Sequence, residues 1–415
     1  MPQNPSTSFL GGTFQSIEGD AQTALLDARS LALHLHAPSA ALPEIVFLPG
    51  LPGSVLDQTP GGTVVWVNFA RALDGTLGTD LDPQPASGAP LTLTATDMIP
   101  GLYDVADLAW RAAGFTVHRF AFDWRLPLQQ AAQSLRALIT SRKAQRPDVR
   151  FLPVAHSQGG LAICEYARQF PDFTADFARV VFLGTPLRGT YSALDATLGS
   201  ASILQNLKSL LDAVGRNGAA VADDFRRAAC HMQGLVELYP DPDEFQNTAG
   251  LYDASQYPAG FQPAQPLLDA ALNFRKGLLD PVLLGRSTMI MSATFPTAAN
   301  DQLQGGVRTA GTPQLGDSLT TLGSGLPPGL HDAFQARLQH LWLPIDSESI
   351  QCVIEIGTQG EVDRSKHTPL TLSPAPLAAP PSASAPAPAG TLQEIAARFQ
   401  KGAPRLGDLL WLFSA

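Results

Sequence analysis

Ser157 stands in Val154-Ala155-His156-Ser157-Gln158-Gly159-Gly160, where its neighbours give it the setting a nucleophile requires. Phe151 to Ala155 is short, apolar and β-prone, as a buried parallel strand is, and Leu161 to Arg168 has helix-compatible spacing. The serine therefore falls on a sharp strand-to-helix turn. Strand and helix backbones nearly touch at such a turn, so small residues are needed two places before and two places after the nucleophile, the pattern G-x-S-x-G. Ala155 and Gly159 hold those places here, and Gly160 gives further room.

A serine hydroxyl attacks a carbonyl only when a base takes its proton, and the base needs an acid to hold its tautomer. Histidines downstream of Ser157 are His231, His331, His340 and His367. His231 falls among helical segments, and His367 borders a Pro/Ala/Ser-rich stretch. His331 precedes the last expected strand and would emerge at the wrong edge of the sheet. His340 follows that strand and is the expected base. Asp317, in Gly316-Asp317-Ser318, is the leading acid, and Asp301 is the alternative because it lies nearer the strand ending at Ala293. His156 adjoins the serine within the turn and cannot reach it from the open face, so its expected role is packing or orientation. The oxyanion of an acyl-transfer reaction needs two N–H donors. Gln158, next after the serine, supplies one. The loop Pro49-Gly50-Leu51-Pro52-Gly53 supplies the other: Pro52 has no N–H, Leu51 is the first choice and Gly53 the second.

These residues need a scaffold that brings them to one edge. Glu44 to Leu48, Phe115 to Phe122, Phe151 to Ala155, Arg179 to Pro186 and Thr288 to Ala293 read as strands, with Phe334, Ala336 and Leu338 marking a last one. Helical patterns at Tyr103 to Ala113, Leu128 to Ala144 and Ser347 to Ile356 alternate with them. This alternation predicts an α/β fold with a doubly wound, mostly parallel sheet. Residues 190 to 285 interrupt it with helical segments and are expected to form a helical cap insertion over the strand ends. Residues 57 to 100, rich in Gly, Thr, Asp and Pro, read as a long excursion. The predicted hydrolase domain runs over residues 1–369, followed by a Pro/Ala/Ser-rich linker over 370–390. A C-terminal amphipathic helical tail over 391–415 carries Leu392, Ile395, Ala396 and Phe399, suited to docking on the parent domain or on a partner.

The 415-residue chain has a formal net charge of −10, which argues against nucleic-acid binding, since phosphate recognition needs clustered Lys and Arg. No run is long and apolar enough for a transmembrane helix. Cys164, Cys230 and Cys352 form no disulfide pattern, and Met1 to Gly12 lacks the features of a signal peptide, so the expected location is cytoplasmic. Leu31, Leu33 and Leu35 alternate with polar positions as in a strand, and His34 and His36 read as its solvated face, with no carboxylate or cysteine nearby to make a metal site. The expectation is no cofactor and no metal.

Taken in order, these motifs resemble the lecithin:cholesterol acyltransferase family of α/β-hydrolases. The matching stretches are Pro49-Gly50 with Gly53-Ser54, Phe122-Asp123-Trp124-Arg125-Leu126, and Ala155-His156-Ser157-Gln158-Gly159-Gly160 with Leu183-Gly184-Thr185-Pro186. The Gly316-Asp317 and His340 stations complete the set. The Asp-Trp-Arg segment is the most family-specific. The resemblance covers most of residues 44 to 357 and implies a lipid or phospholipid ester substrate, with water or an alcohol as acceptor. The alternatives are a general carboxylesterase of small esters and a catalytically inactive hydrolase scaffold that binds a partner. Two departures stand out. Leu187-Arg188 follow Gly184-Thr185-Pro186 where the family usually has histidine, and Ser318 follows Asp317 where it usually has glycine.

Overall fold

The computed structural model describes residues 38–372, 390–401, 408, 411 and 412. The strand predicted around Leu31 to Leu35, His34 and His36, and most of the linker lie outside the described residues. Six strands form the central sheet: β1 (Glu44–Leu48), β2 (Val117–Arg119), β3 (Phe151–His156), β4 (Val180–Leu183), β5 (Ser287–Met291) and β6 (Asp332–Gln335). They are hydrogen-bonded in the order β6-β5-β4-β3-β1-β2, and every pairing is parallel.

Both faces of the sheet are buried, and the side-chain alternation of a strand shows how. In β1, Ile45 and Phe47 enter one core layer and Val46 and Leu48 the other; in β4, Val181 and Leu183 oppose Val180 and Phe182. A strand buried on both faces must be apolar throughout, which is why β1, β3 and β4 were legible as short apolar runs. Phe47 packs edge-on against Trp110 of helix Asp104–Ala112, with ring centroids 4.7 Å apart. Helix Leu128–Gln145 leads into β3, and helix Gln158–Gln169 leaves it.

Strand boundaries differ from the sequence expectation. β2 is only three residues long, and β6 stops at Gln335, so Ala336 and Leu338 lie beyond it. The buried Asp346 carboxylate accepts the N–H groups of Arg337 and Leu338, both at 2.9 Å, and this turns the chain away from the sheet. The excursion over 57 to 100 is in part a second sheet. Ser54–Gln58, Thr63–Trp66 and Leu93–Met98 form three antiparallel strands, with Ser54–Gln58 in the centre.

Between β4 and β5 the chain runs through helices Leu194–Leu198, Ser202–Ala213, Gly218–Ala229, Gln233–Val236 and Gln265–Arg275. Helix Leu392–Gln400 begins with a capping box at Thr391 and Glu394. It packs on helix Ser202–Ala213 and on helix Phe69–Asp74, where Phe399 lies 5.2 Å from the Phe69 ring. Asn206 of helix Ser202–Ala213 donates to the Trp411 carbonyl at 3.0 Å. Among the described residues no helix is long and apolar enough to cross a membrane.

Candidate active site

Ser157 joins β3 to helix Gln158–Gln169 with φ +53° and ψ −124°, a conformation that L-residues rarely adopt. The turn presents the hydroxyl above the strand edge, and its strain is held by close packing on both sides. A Cβ on Gly159 would lie 2.6 Å from the Pro49 carbonyl oxygen, and one on Gly160 would lie 2.1 Å from Thr185 Oγ1. Both positions therefore require glycine. Ala155 fits because its methyl is part of the core, fully buried beneath the turn. Gly160→Ala is expected to lower stability by about 1–3 kcal/mol through overpacking, read by urea unfolding.

Three predicted residues meet at this edge. Ser157 Oγ lies 2.8 Å from His340 Nε2, and His340 Nδ1 lies 2.9 Å from Asp317 Oδ2. A carboxylate only accepts, so Nδ1 carries the hydrogen and Nε2 offers its lone pair to the serine hydroxyl. The backbone N–H of His340 also donates to the Asp317 carbonyl at 2.8 Å, which locks the two loops together. Asp317 is fully buried and His340 nearly so. The second Asp317 oxygen, Oδ1, caps its own turn by accepting from Thr320 N at 2.7 Å and Leu319 N at 3.1 Å. A turn-capping aspartate and an acid aimed at histidine are thus one residue. Ser318, where the resembled family usually has glycine, takes φ +88°, a conformation glycine would adopt freely.

The other titratable candidates lie elsewhere. Asp301 pairs with Arg308 at 2.6 Å and accepts from Gly311 N, so it is not the partner of His340. His231 bonds Asp82, and His331 is exposed beside Asp332 at the start of β6. His367 is buried between Glu348 and Glu355.

The loop after β1 narrows the choice of donor. Gly50 N–H goes to Tyr103 Oη at 3.0 Å, and Gly53 N–H goes to the Gly50 carbonyl at 2.7 Å. Gly53, the second choice, is therefore engaged within its own loop. Among the described residues Leu51 N–H and Gln158 N–H have no such partner. The Gln158 side chain points away from the serine, donating to the carbonyls of Trp124 at 3.1 Å and Gly234 at 2.7 Å. This gives the Asp-Trp-Arg segment a structural part. Arg125 is clamped on Asp123 and donates to the Leu81 carbonyl, while its own carbonyl accepts from Gly234 N. The segment thus fastens helix Gln233–Val236 to the serine turn.

Beside Ser157 lies a cavity of about 160 Å³, lined by Leu51, His340, Ile203, Phe225, Met232 and Leu238 among others. Its lining is mostly apolar, and most of it comes from the segment between β4 and β5, both its helices and its loops. Among the described residues no cluster of His, Cys, Asp and Glu could hold a metal ion.

The parallel sheet, the strained serine turn after its central strand, and the downstream order of acid and histidine define an α/β-hydrolase fold. A chain of the Tle4–Tli4 complex is similar over 78% of this chain and 100% of its own, at 11% identity and TM-score 0.48. The mature Bacillus licheniformis lipase BlEst2 is similar over 75% of this chain and 89% of its own, at 13% identity and TM-score 0.33. The metagenomic carboxyl esterase MGS0156 is similar over 74% of this chain and 67% of its own, at 15% identity and TM-score 0.34. No family model matches the sequence, and no curated protein matches it.

Proposed function

We propose that the chain is a serine-dependent enzyme of acyl transfer that hydrolyses carboxylic esters, with a lipid or phospholipid acyl group as substrate. The observation that carries this reading is the hydrogen-bonded line from Ser157 through His340 to Asp317, with Ser157 and His340 lining an apolar cavity. Ser157 Oγ attacks the ester carbonyl as His340 Nε2 takes its proton, and the tetrahedral oxyanion accepts from the N–H groups of Gln158 and Leu51. His340 then gives the proton to the leaving alcohol. An acyl-enzyme remains on Ser157, and water or an alcohol, deprotonated by the same histidine, releases the acyl group. Asp317 holds His340 in the required tautomer and stabilises the imidazolium.

Apolar walls suit a hydrocarbon chain, and the helices over residues 190–285 serve in this reading as a cap that shields it from water. The motifs shared with the lecithin:cholesterol acyltransferase family support a lipid ester. A fluorophosphonate probe is expected to label wild-type protein on Ser157 and to leave Ser157→Ala unlabelled. Folded wild-type protein that takes no label would leave only a binding scaffold. A series of p-nitrophenyl esters is expected to give kcat/KM rising with acyl length beyond four carbons. Activity confined to acetate and butyrate would favour a small-ester carboxylesterase.

A further inference from the structure

Besides the loop that carries Asp317, three loops of separate origin build this site: Pro49 to Gly53 after β1, the turn at Ser157 after β3, and the segment at His340 after β6. One chain of hydrogen bonds runs behind all three. Gly50 N–H donates to the Tyr103 hydroxyl oxygen at 3.0 Å, Tyr103 Oη lies 3.0 Å from His156 Nδ1, and His156 Nε2 lies 2.9 Å from the His340 carbonyl oxygen. Tyr103 and His156 are buried.

The direction of each bond follows from chemistry. A carbonyl only accepts, so His156 Nε2 carries a hydrogen. Burial, and then the neighbouring His340, push the His156 imidazole down to about 3, so it is neutral and Nδ1 offers a lone pair. Burial holds the Tyr103 phenol above its ordinary range, so it keeps its proton and donates to Nδ1. Hydrogen bonding therefore runs in one sense from Gly50 to the His340 carbonyl.

The end of this chain at Gly50 sets the neighbouring peptide. The Gly50 carbonyl accepts the Gly53 N–H at 2.7 Å, and in a planar trans peptide the next N–H points opposite to that carbonyl. With the Gly50 N–H held by Tyr103 and its carbonyl held by Gly53, the direction of Leu51 N–H is fixed from both sides. There is no slack in the packing. A Cβ on Gly50 would lie 2.7 Å from Ser157 Cβ, and one on Gly53 would lie 2.5 Å from the Tyr103 hydroxyl.

We propose that Tyr103 is a positioning residue that acts through Gly50 to aim the Leu51 N–H at the oxyanion, and that His156 couples this aim to the placement of His340. The inference rests on the serine-esterase reading above. Tyr103→Phe removes one hydroxyl and keeps the ring that packs on Phe47. Its kcat for a p-nitrophenyl ester is expected to fall about 10- to 100-fold, with KM within about twofold of wild type. The acid limb of the kcat/KM profile, which reports the base, is expected not to move. His156→Asn offers an amide oxygen near the place of Nδ1 as acceptor for Tyr103, whereas His156→Leu offers none, so the asparagine variant is expected to retain several-fold more activity. The fluorophosphonate labelling rate, read by mass spectrometry on the folded fraction, is expected to follow kcat in each variant.

An active wild type alongside a Tyr103→Phe variant with kcat within about twofold would overturn this inference and leave the esterase reading standing. So would a loss confined to KM, or one matched by the fraction unfolded. Folded wild-type protein that neither turns over ester nor takes the label would overturn the esterase reading, and the role of Tyr103 with it.

Discussion

Asp317→Asn is expected to lower kcat for ester hydrolysis by about 10⁴-fold while the protein stays folded. The carboxylate accepts from His340 Nδ1 at 2.9 Å and so presents the Nε2 lone pair to Ser157. An asparagine that turns its oxygen toward Thr320 N and Leu319 N, as Oδ1 does now, directs its NH₂ group at His340. Nδ1 must then accept, Nε2 carries the hydrogen, and the imidazole can no longer take the serine proton. The capping bonds persist, so the melting temperature is expected to change by only a few degrees. Steady-state kinetics beside circular dichroism decide the matter: a loss below about tenfold in folded protein would reduce Asp317 to a turn residue.

The second large effect concerns stability. Glu237 is buried at the end of the one-turn helix Gln233–Val236, and its Oε2 accepts the N–H of Leu128 at 2.9 Å. Leu128 opens helix Leu128–Gln145, whose preceding residue, Pro127, offers no capping side chain. Burial pushes the carboxyl up to about 7, against about 4.3 in the unfolded chain. The folded state therefore binds this proton more tightly than the unfolded state does. The stability linked to it is fully present below about pH 4.3 and is lost as the pH rises to about 7 and beyond. Glu237→Gln keeps an acceptor for Leu128 and has no charge to bury. Urea unfolding is expected to show the variant gaining about 2–3 kcal/mol on wild type between pH 5 and pH 8.5. Parallel stability profiles would mean that the carboxyl ionises without penalty where it sits.

What was legible in the sequence was local. The strand, turn and helix around Ser157 span fewer than twenty consecutive residues, and the buried strands announce themselves because both of their faces are covered. The small sheet was missed because its central strand, Ser54–Gln58, pairs with Leu93–Met98, and no short-range pattern reports a partner that distant. Its signals were nevertheless present in Pro60-Gly61-Gly62 at the hairpin turn and in the alternation from Leu91 to Met98. Gly305-Gly306, between Gln302–Gln304 and Val307–Thr309, was a second hairpin overlooked. Tyr103 was legible only as the start of a helix. Its hydroxyl partners, Gly50 and His156, each lie 53 residues away. His156 was expected to orient or pack, and only the geometry names what it touches. For the acid, sequence order left Asp301 open. The Arg308 guanidinium that occupies Asp301 comes from a hairpin the sequence reading did not contain.

Helix Leu392–Gln400 lies across helices Ser202–Ala213 and Phe69–Asp74, two segments far upstream of it in the chain. During translation both of these helices leave the ribosome well before it does. The nascent protein therefore passes through a stage in which the parallel sheet and the serine turn can be complete while the outer face of helix Ser202–Ala213, which helps wall the cavity, is still bare, as is the place on Phe69 where Phe399 later rests. That interval is when an apolar patch beside the cavity is open to chaperones or to another nascent chain, and it closes only when Thr391 and the residues after it emerge.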